Sequence, residues 1–432
     1  MKKMRKRTAR SGILKTVCTI LVIVAFAELI FPMVKDEVGK VFDVSDLIAE
    51  DMLVDIEDKE NTEDNAIKST VENELEGAVP YFAYEQLSED KKKVYAIVYD
   101  AIVDLKKELT WFPVELMVED YYQIEEDIIS DHPEIFWYRG GASVYYDQET
   151  KVVKKVEMTY CMTREETQKR QEEIDVAVRP FLDTLNSDMS DYEITKRAYD
   201  YIISSVDYDA LALSGGMDNM NASDISQPDD IRSIYGVFVN KKAVCAGYAK
   251  ALQYILQHFE RECAYVWNDV HAWNLVKLGN DYYHVDATWG DGSNTFLEQG
   301  WSDRINYDFL GLTTAEIQRL EDHTITNKLQ IPECTATEYN YHSQEGLVFD
   351  VYNYEQMKQI ILNNLQTGNY FVTVKFANEQ VYEECRYNFV DCGQISQMIS
   401  EINVAWGMAV DTGYVYYAED CLYTLGIELR SL

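Results

Sequence analysis

Basic residues are scarce in this 432-residue chain: 39 Lys and Arg stand against 75 Asp and Glu, a net charge of −36. A field of that sign repels nucleic acid and anionic lipid and suits solubility or cationic partners, so no nucleic-acid partner is expected. The eight cysteines (18, 161, 245, 263, 334, 385, 392 and 421) include no CxxC pair, and without that spacing no structural zinc site is expected. No acidic loop has EF-hand spacing, which argues against calcium. Neither a metal nor a cofactor is expected. With Cys18 inside an apolar segment, seven thiols remain, so at least one is unpaired within the chain. Cys385 and Cys392 are near enough in sequence to bridge, which spacing alone does not decide. Internal repeats and low-complexity tracts are lacking too. What remains is a globular composition, 47% hydrophobic and 26% charged, on a chain too long for one core, so two or three domains are expected. The 32 tyrosines suit extended, surface-exposed β structure.

The first 34 residues differ from the rest. MKKMRKRTARSGILK carries seven basic residues and precedes a run, Thr16–Val34, that is apolar but for Glu28. Nineteen residues at a rise of ~1.5 Å cover about 29 Å, close to a ~30 Å hydrocarbon core. The expectation is an N-terminal transmembrane helix, a signal anchor over 1–34, with its basic flank in the cytoplasm and the body extracellular. That makes the chain a single-pass protein of the cell membrane. The alternative is a secretory signal peptide cleaved near Ala27, since Ala25-Phe26-Ala27 resembles a small-residue cleavage site.

Residues 35–78 are rich in acids with Phe42 as the one aromatic, and read as an acidic linker. A small N-terminal α+β module follows over 79–175. It has an amphipathic helix over 87–109, capped near Ser88, and hairpin strands over 133–160 that break at Gly140-Gly141 and Asp147-Gln148. The adjacent Phe136 and Trp137 would either line a surface or enter the core. The next region, 176–330, holds a helical pattern at 191–205 and a long irregular loop at 207–230. Residues 331–432 read as a C-terminal α+β domain: strand, helix, strand, strand (EECRYNFV), helix, strands.

Chemistry concentrates in the central region. KKAVCAGYAKALQYILQHF places Cys245 at the start of an apolar helical repeat carried by Tyr248, Leu252, Ile255 or Leu256, and Phe259. A thiol becomes a nucleophile as its thiolate, free cysteine titrates near ~8.5, and both a helix N-terminus and a neighbouring imidazolium lower that value. NDVHAWNLVKLGNDYYHVDATWGD reads as two strands joined by a turn at Gly279-Asn280-Asp281. Simple hairpin pairing then sets His271 opposite residue 288, at diagonal-neighbour distance from Asp286. An acid there would accept Nδ1–H from the ring and leave Nε2 for the sulfur. Taken alone, Cys245 would be packing, His271 a satisfied polar residue and Asp286 a turn residue. His284 shares a strand face with Asp286 and is a rival base on spacing.

YGVFVNKKAVCAGYAKALQYIL, HAWNLVKL and YYHVDATWGD resemble the three motif blocks of the transglutaminase-like superfamily, over about residues 190–310. The resemblance implies a papain-like fold and a catalytic order Cys, His, Asp, which falls on Cys245, His271 and Asp286 and prefers His271 over His284. Upstream, DHPEIFWYRGG and the C-terminal tail resemble flanking regions of bacterial exported members. The fold expected is therefore α+β, a papain-like, transglutaminase-like core with flanking α+β domains.

The reaction implied is acyl transfer by a cysteine enzyme on a protein or peptide substrate, with cell-wall association one option. Hydrolysis, as a cysteine peptidase or amidase, is favoured. Protein-glutamine transamidation and a catalytically silent cell-surface binding module on the same fold are the alternatives. Tyr235, upstream of the cysteine, is a candidate oxyanion donor. Trp273 and Trp289 would pack beside the site or shape an acyl channel.

Overall fold

The computed structural model describes residues 81–210, 225–292, 304–326 and 328–432. The anchor over 1–34 and the linker over 35–78 lie outside the described residues. Among the described residues no helix is long and apolar enough to cross a membrane. The architecture is mixed, with helices packed against sheets whose pairings are mostly antiparallel.

Helices α1 (Phe82–Glu85) and α2 (Glu89–Val103) are followed by β1 (Glu108–Leu109), α3 (Val118–Asp131), β2 (Tyr138–Tyr146) and β3 (Val153–Tyr160), with the strands ordered β1-β3-β2. The helix expected over 87–109 stops at Val103. There Leu105 turns to a φ of +50° and the Lys106 N–H reaches back to the Ala101 carbonyl, a left-handed cap that frees the chain to form β1. Ser88 does precede α2, but its side chain makes no capping bond. Between β2 and β3 the register shifts at Gly140-Gly141, and Phe136 and Trp137 are both buried.

Next come α4 (Arg164–Leu182), headed by a Thr163–Glu166 capping box, and α5 (Asp191–Ser205), capped by Ser190. A short parallel pair, β4 (Asp207–Tyr208) with β5 (Lys242–Ala243), leads into α6 (Cys245–His258). The antiparallel sheet that follows runs in sequence order: β6 (Cys263–Trp267), β7 (Ala272–Leu278), β8 (Asp281–Val285) and β9 (Leu310–Leu312). Alternation along β7 decides what each face meets. Val276 and Leu278 join the cluster that includes Leu252 and Leu256 of α6. Trp273 and Leu275 join a second cluster with Ile317, Leu320 and Cys334, beyond α7 (Thr314–Ile317). The larger cluster runs from Val94 to Leu310, across residues 175 and 176, without a break.

After α8 (Tyr341–Gln344), the C-terminal region has its own core from Phe349 to Leu429. It comprises β10 (Val348–Phe349), α9 (Tyr354–Gln366), β11 (Phe371–Phe376), α10 (Glu379–Arg386), α11 (Gln394–Trp406), β12 (Val415–Glu419) and β13 (Thr424–Glu428), with sheet order β10-β11-β13-β12. The EECRYNFV segment is helical, where a strand was expected. Asn378 caps α10 by accepting from the Val381 N–H, and the buried Tyr382, Cys385 and Phe389 recur at helical spacing. Cys385 is buried, Cys392 is exposed, and both are free, as are the other five described cysteines.

Tyrosines also depart from expectation, because many lie inside. Tyr95, Tyr138 and Tyr248 are buried and donate to the carboxylates of Asp131, Glu125 and Asp291. A chain this acidic buries some of its carboxylates, and each such group needs a donor.

Candidate active site

Cys245 is the first residue of α6, preceded by Val244, which offers no side-chain cap. The helix can start tight against its neighbours because residue 247 is glycine. A Cβ there would lie 2.8 Å from both the Ala243 Cβ and the Ile231 carbonyl oxygen. In this first turn the Gly247 and Tyr248 N–H groups close onto the Val244 carbonyl, which leaves those of Cys245 and Ala246. One is taken up: the Cys245 N–H donates to the phenolic oxygen of Tyr208, which β4 sets opposite Ala243. Burial and the charges of Cys245 and Asp286 hold the Tyr208 hydroxyl in its protonated form, so its own O–H remains a donor beside the sulfur.

β7 and β8 pair with Asn274 opposite Val285 and Leu278 opposite Asp281, so the turn is tight at Gly279-Asn280. Asp286 lies one residue beyond Val285, and His271 lies just ahead of β7, three residues before Asn274. The buried Asn274 amide donates to the Ala249 carbonyl of α6 at 3.0 Å, tying the strand that follows His271 to the helix that begins at Cys245. His271 is 7% exposed and its ring is in hydrogen-bond contact with Cys245.

The ring faces Asp286 with Nε2, at 2.6 Å from Oδ2. The expected orientation, Nδ1 to the acid and Nε2 to the sulfur, is therefore reversed, and Nδ1 is the nitrogen left for Cys245. The physical reason is that His271 sits past the end of β7, where its position is set by Asn268. The Asn268 side-chain oxygen accepts from the His271 and Val270 N–H groups at 2.8 and 2.9 Å.

Asp286 is fully buried and fully satisfied. Its Oδ1 accepts from the Thr288 and Trp289 N–H groups at 2.9 and 3.0 Å. Its Oδ2 accepts from His271 and also from His323 Nε2, at 2.8 Å. Burial alone would raise this carboxyl; the two imidazoles outweigh it and hold the group well below the ordinary carboxylate range. For His271, burial works downward, but the charge and hydrogen bond of Asp286, with Cys245 adding to them, push it up to about 10. A ring of that affinity can take a proton from a thiol.

The rival base is engaged elsewhere. His284 accepts at Nδ1 from the Trp273 indole N–H at 3.1 Å, and burial and nearby His323 push it down to about 4. Trp273 stacks on His271 with centroids 5.7 Å apart, and Trp289 meets the same ring edge-on at 6.3 Å. Both indoles thus wall the imidazole. Tyr235 is turned away: its hydroxyl donates to Glu173 of α4 at 2.7 Å, with the Arg170 guanidinium over its ring. Sequence reasoning missed Tyr208, Asn268 and His323. No local pattern marks them, and only the fold brings them to Cys245 and Asp286.

Ligand atoms of His271, Asp286 and His323 lie within 4.8 Å of one another, close enough to share a cation. Their 2.6 and 2.8 Å separations are N–H···O lengths on one oxygen, so a metal entering there would displace both protons.

No protein-family model matches the sequence, and no curated protein matches it. Among solved structures, one described as "Crystal structure of a TGase" is similar with a TM-score of 0.24 and 13% identity. The likeness covers 42% of this chain and half of that one, and carries no argument about fold or function.

Proposed function

We propose that this chain is a transglutaminase-like cysteine enzyme that transfers acyl groups from a peptide or amide substrate, with hydrolysis as the principal outcome. The observation that carries the reading is that His271 directs Nε2 to Asp286 Oδ2 at 2.6 Å and is raised by both Asp286 and Cys245, which leaves Nδ1 for the sulfur. The resemblance of the three sequence blocks around these residues supports the same assignment.

In this mechanism Cys245 Sγ gives its proton to His271 Nδ1, while Nε2–H stays on Asp286. The thiolate attacks the carbonyl carbon and forms a tetrahedral oxyanion, which the Tyr208 hydroxyl and the remaining first-turn N–H of α6 stabilise. Collapse breaks the C–N bond. The amine leaves with the proton from Nδ1, and a thioester on Cys245 remains. Water then gives a proton to Nδ1 as its oxygen bonds to the acyl carbon; the C–S bond breaks, the acid leaves, and Nδ1 returns the proton to the sulfur. An acceptor amine in place of water would give transamidation. Asp286 keeps the imidazole in the Nε2–H tautomer throughout.

We further propose that the body works outside the cytoplasm, on the charge asymmetry of the first 34 residues, and that its substrates are exported or wall-associated proteins or peptides.

The test is to incubate the full chain and its Cys245→Ala variant with cell-surface protein and peptidoglycan, with and without a primary-amine probe, and read the products by mass spectrometry. Hydrolysed products that need Cys245 and exceed amine adducts are the expected result. Adducts exceeding hydrolysis would make the enzyme a transamidase. Unchanged turnover in Cys245→Ala would remove the enzymatic reading.

A further inference from the structure

A second imidazole belongs to the site, from a part of the chain that no motif marks. His323 lies in the irregular segment after α7, is fully buried, and directs Nε2 to the same Asp286 oxygen that serves His271. Since a carboxylate only accepts, His323 must donate there. Its Nδ1 is buried and has no partner among the described residues, so a second proton on that nitrogen would have no acceptor.

The placement is built, not incidental. The Asn268 amide nitrogen donates to the carbonyls of Asp322 and Thr324, the two neighbours of His323, at 2.9 and 2.8 Å. The oxygen of the same amide holds the His271 N–H. One side chain therefore fixes both imidazoles relative to each other. The His323 ring is also held edge-on by Trp273 and Trp289, at 4.9 and 5.0 Å between centroids.

We propose that His323 is a positioning residue for the acyl-transfer site: its Nε2–H anchors Asp286 Oδ2 and shares the carboxylate charge, limiting how strongly Asp286 holds the proton of His271. This rests on the catalytic reading of Cys245, His271 and Asp286. The physical basis is that every donor to an anion lessens what the anion offers to the others. With four donors on one buried carboxylate, His271 is oriented by Asp286 without being locked in its protonated form. A base that never released its proton would not protonate the leaving amine. The titratable groups facing His271 are Cys245, Asp286 and His323. His284 faces His323 from β8, and the hydroxyls of Tyr199 and Tyr208 face Asp286.

The test follows the His271 imidazole by NMR titration in the full chain carrying Cys245→Ala, so that no thiol titration is coupled to it. His323→Phe keeps a ring between the two indoles but removes the donor. It should move the His271 midpoint up by about half a pH unit or more. His323→Leu does the same if the Phe variant does not fold. His323→Gln, whose amide nitrogen reaches the place of Nε2, should restore the parent midpoint. An unmoved or lowered midpoint in the donor-less variants, or an equal shift in His323→Gln, overturns the proposal. Alkylation of Cys245 in otherwise unchanged protein reports separately on the nucleophile. A sluggish Cys245 with a shifted His271 would defeat the catalytic reading alone. A reactive Cys245 with an unmoved His271 would defeat the role of His323 alone.

Discussion

His271 presents Nε2 to Asp286 Oδ2 at 2.6 Å, and this single contact decides which ring nitrogen does the chemistry. Asp286 can only accept, so one proton is held on Nε2 and Nδ1, left for Cys245, is the nitrogen that gains and loses a proton. Replacing Asp286 by Asn reverses that arrangement. Its amide oxygen is needed by the Thr288 and Trp289 N–H groups, which turns the NH2 toward both imidazoles. His271 would then accept at Nε2 and carry its proton on Nδ1, facing the sulfur. Asp286→Asn should keep the fold and lower kcat roughly 10³- to 10⁴-fold. A loss below about tenfold would mean the ring orientation does not matter.

His271 also links the site to stability. Its folded value is about 10 against an ordinary 6.5. A raised imidazole stabilises the folded state fully below its unfolded value and loses that contribution as pH rises through the folded one. The stability advantage of the native chain over His271→Gln, read from denaturant midpoints, should therefore shrink between pH 6.5 and 10. An advantage that stays flat or grows over that window would contradict the Asp286–His271 pairing.

Tyr208 accepts from the Cys245 N–H, and burial with nearby negative charge keeps its hydroxyl protonated. Removal of one oxyanion donor costs about 10²–10³ in kcat at other sites. Tyr208→Phe should lower turnover by about 10² and leave the alkylation rate of Cys245 within twofold. A parallel fall in both would instead make Tyr208 a support for the thiol.

Gly247 is needed for contact rather than for flexibility. Gly247→Ala would add intrinsic helix propensity of about 1 kcal/mol, yet its methyl would enter the space of Ala243 and Ile231. The net expectation is a loss of about 1–3 kcal/mol in urea unfolding. A gain would mean the start of α6 is more loosely seated than its contacts imply.

Much of this site could be read from the chain because strand pairing is governed by a period of two. The turn after Leu278 and the apolar alternation on both sides fix the register, and the observed pairing of Asn274 with Val285 is the one the turn dictates. Register brings His271 near Asp286 but says nothing about which nitrogen points inward. That depends on Asn268, through a side-chain bond with no periodic signature. His323 was illegible for a related reason: it lies 37 residues beyond Asp286 in a segment without helix or strand. Tyr208 reaches Cys245 across the β4–β5 bridge, a two-residue pairing too short to leave a pattern. EECRYNFV failed differently. Its apolar residues suit either period over so short a run, and the Asn378 cap together with burial of Tyr382, Cys385 and Phe389 settles it as helix.

The central claim is that His271 activates Cys245, and competition among the chain's own thiols tests it without a known substrate. Cys392 and Cys421 are exposed and serve as internal references. The full chain, treated briefly with iodoacetamide near neutral pH and analysed by peptide mass spectrometry, should carry the label on Cys245 roughly tenfold faster than on either reference. That advantage should vanish in His271→Ala. Labelling of Cys245 no faster than Cys392 and Cys421, or equally fast with and without His271, would contradict the account.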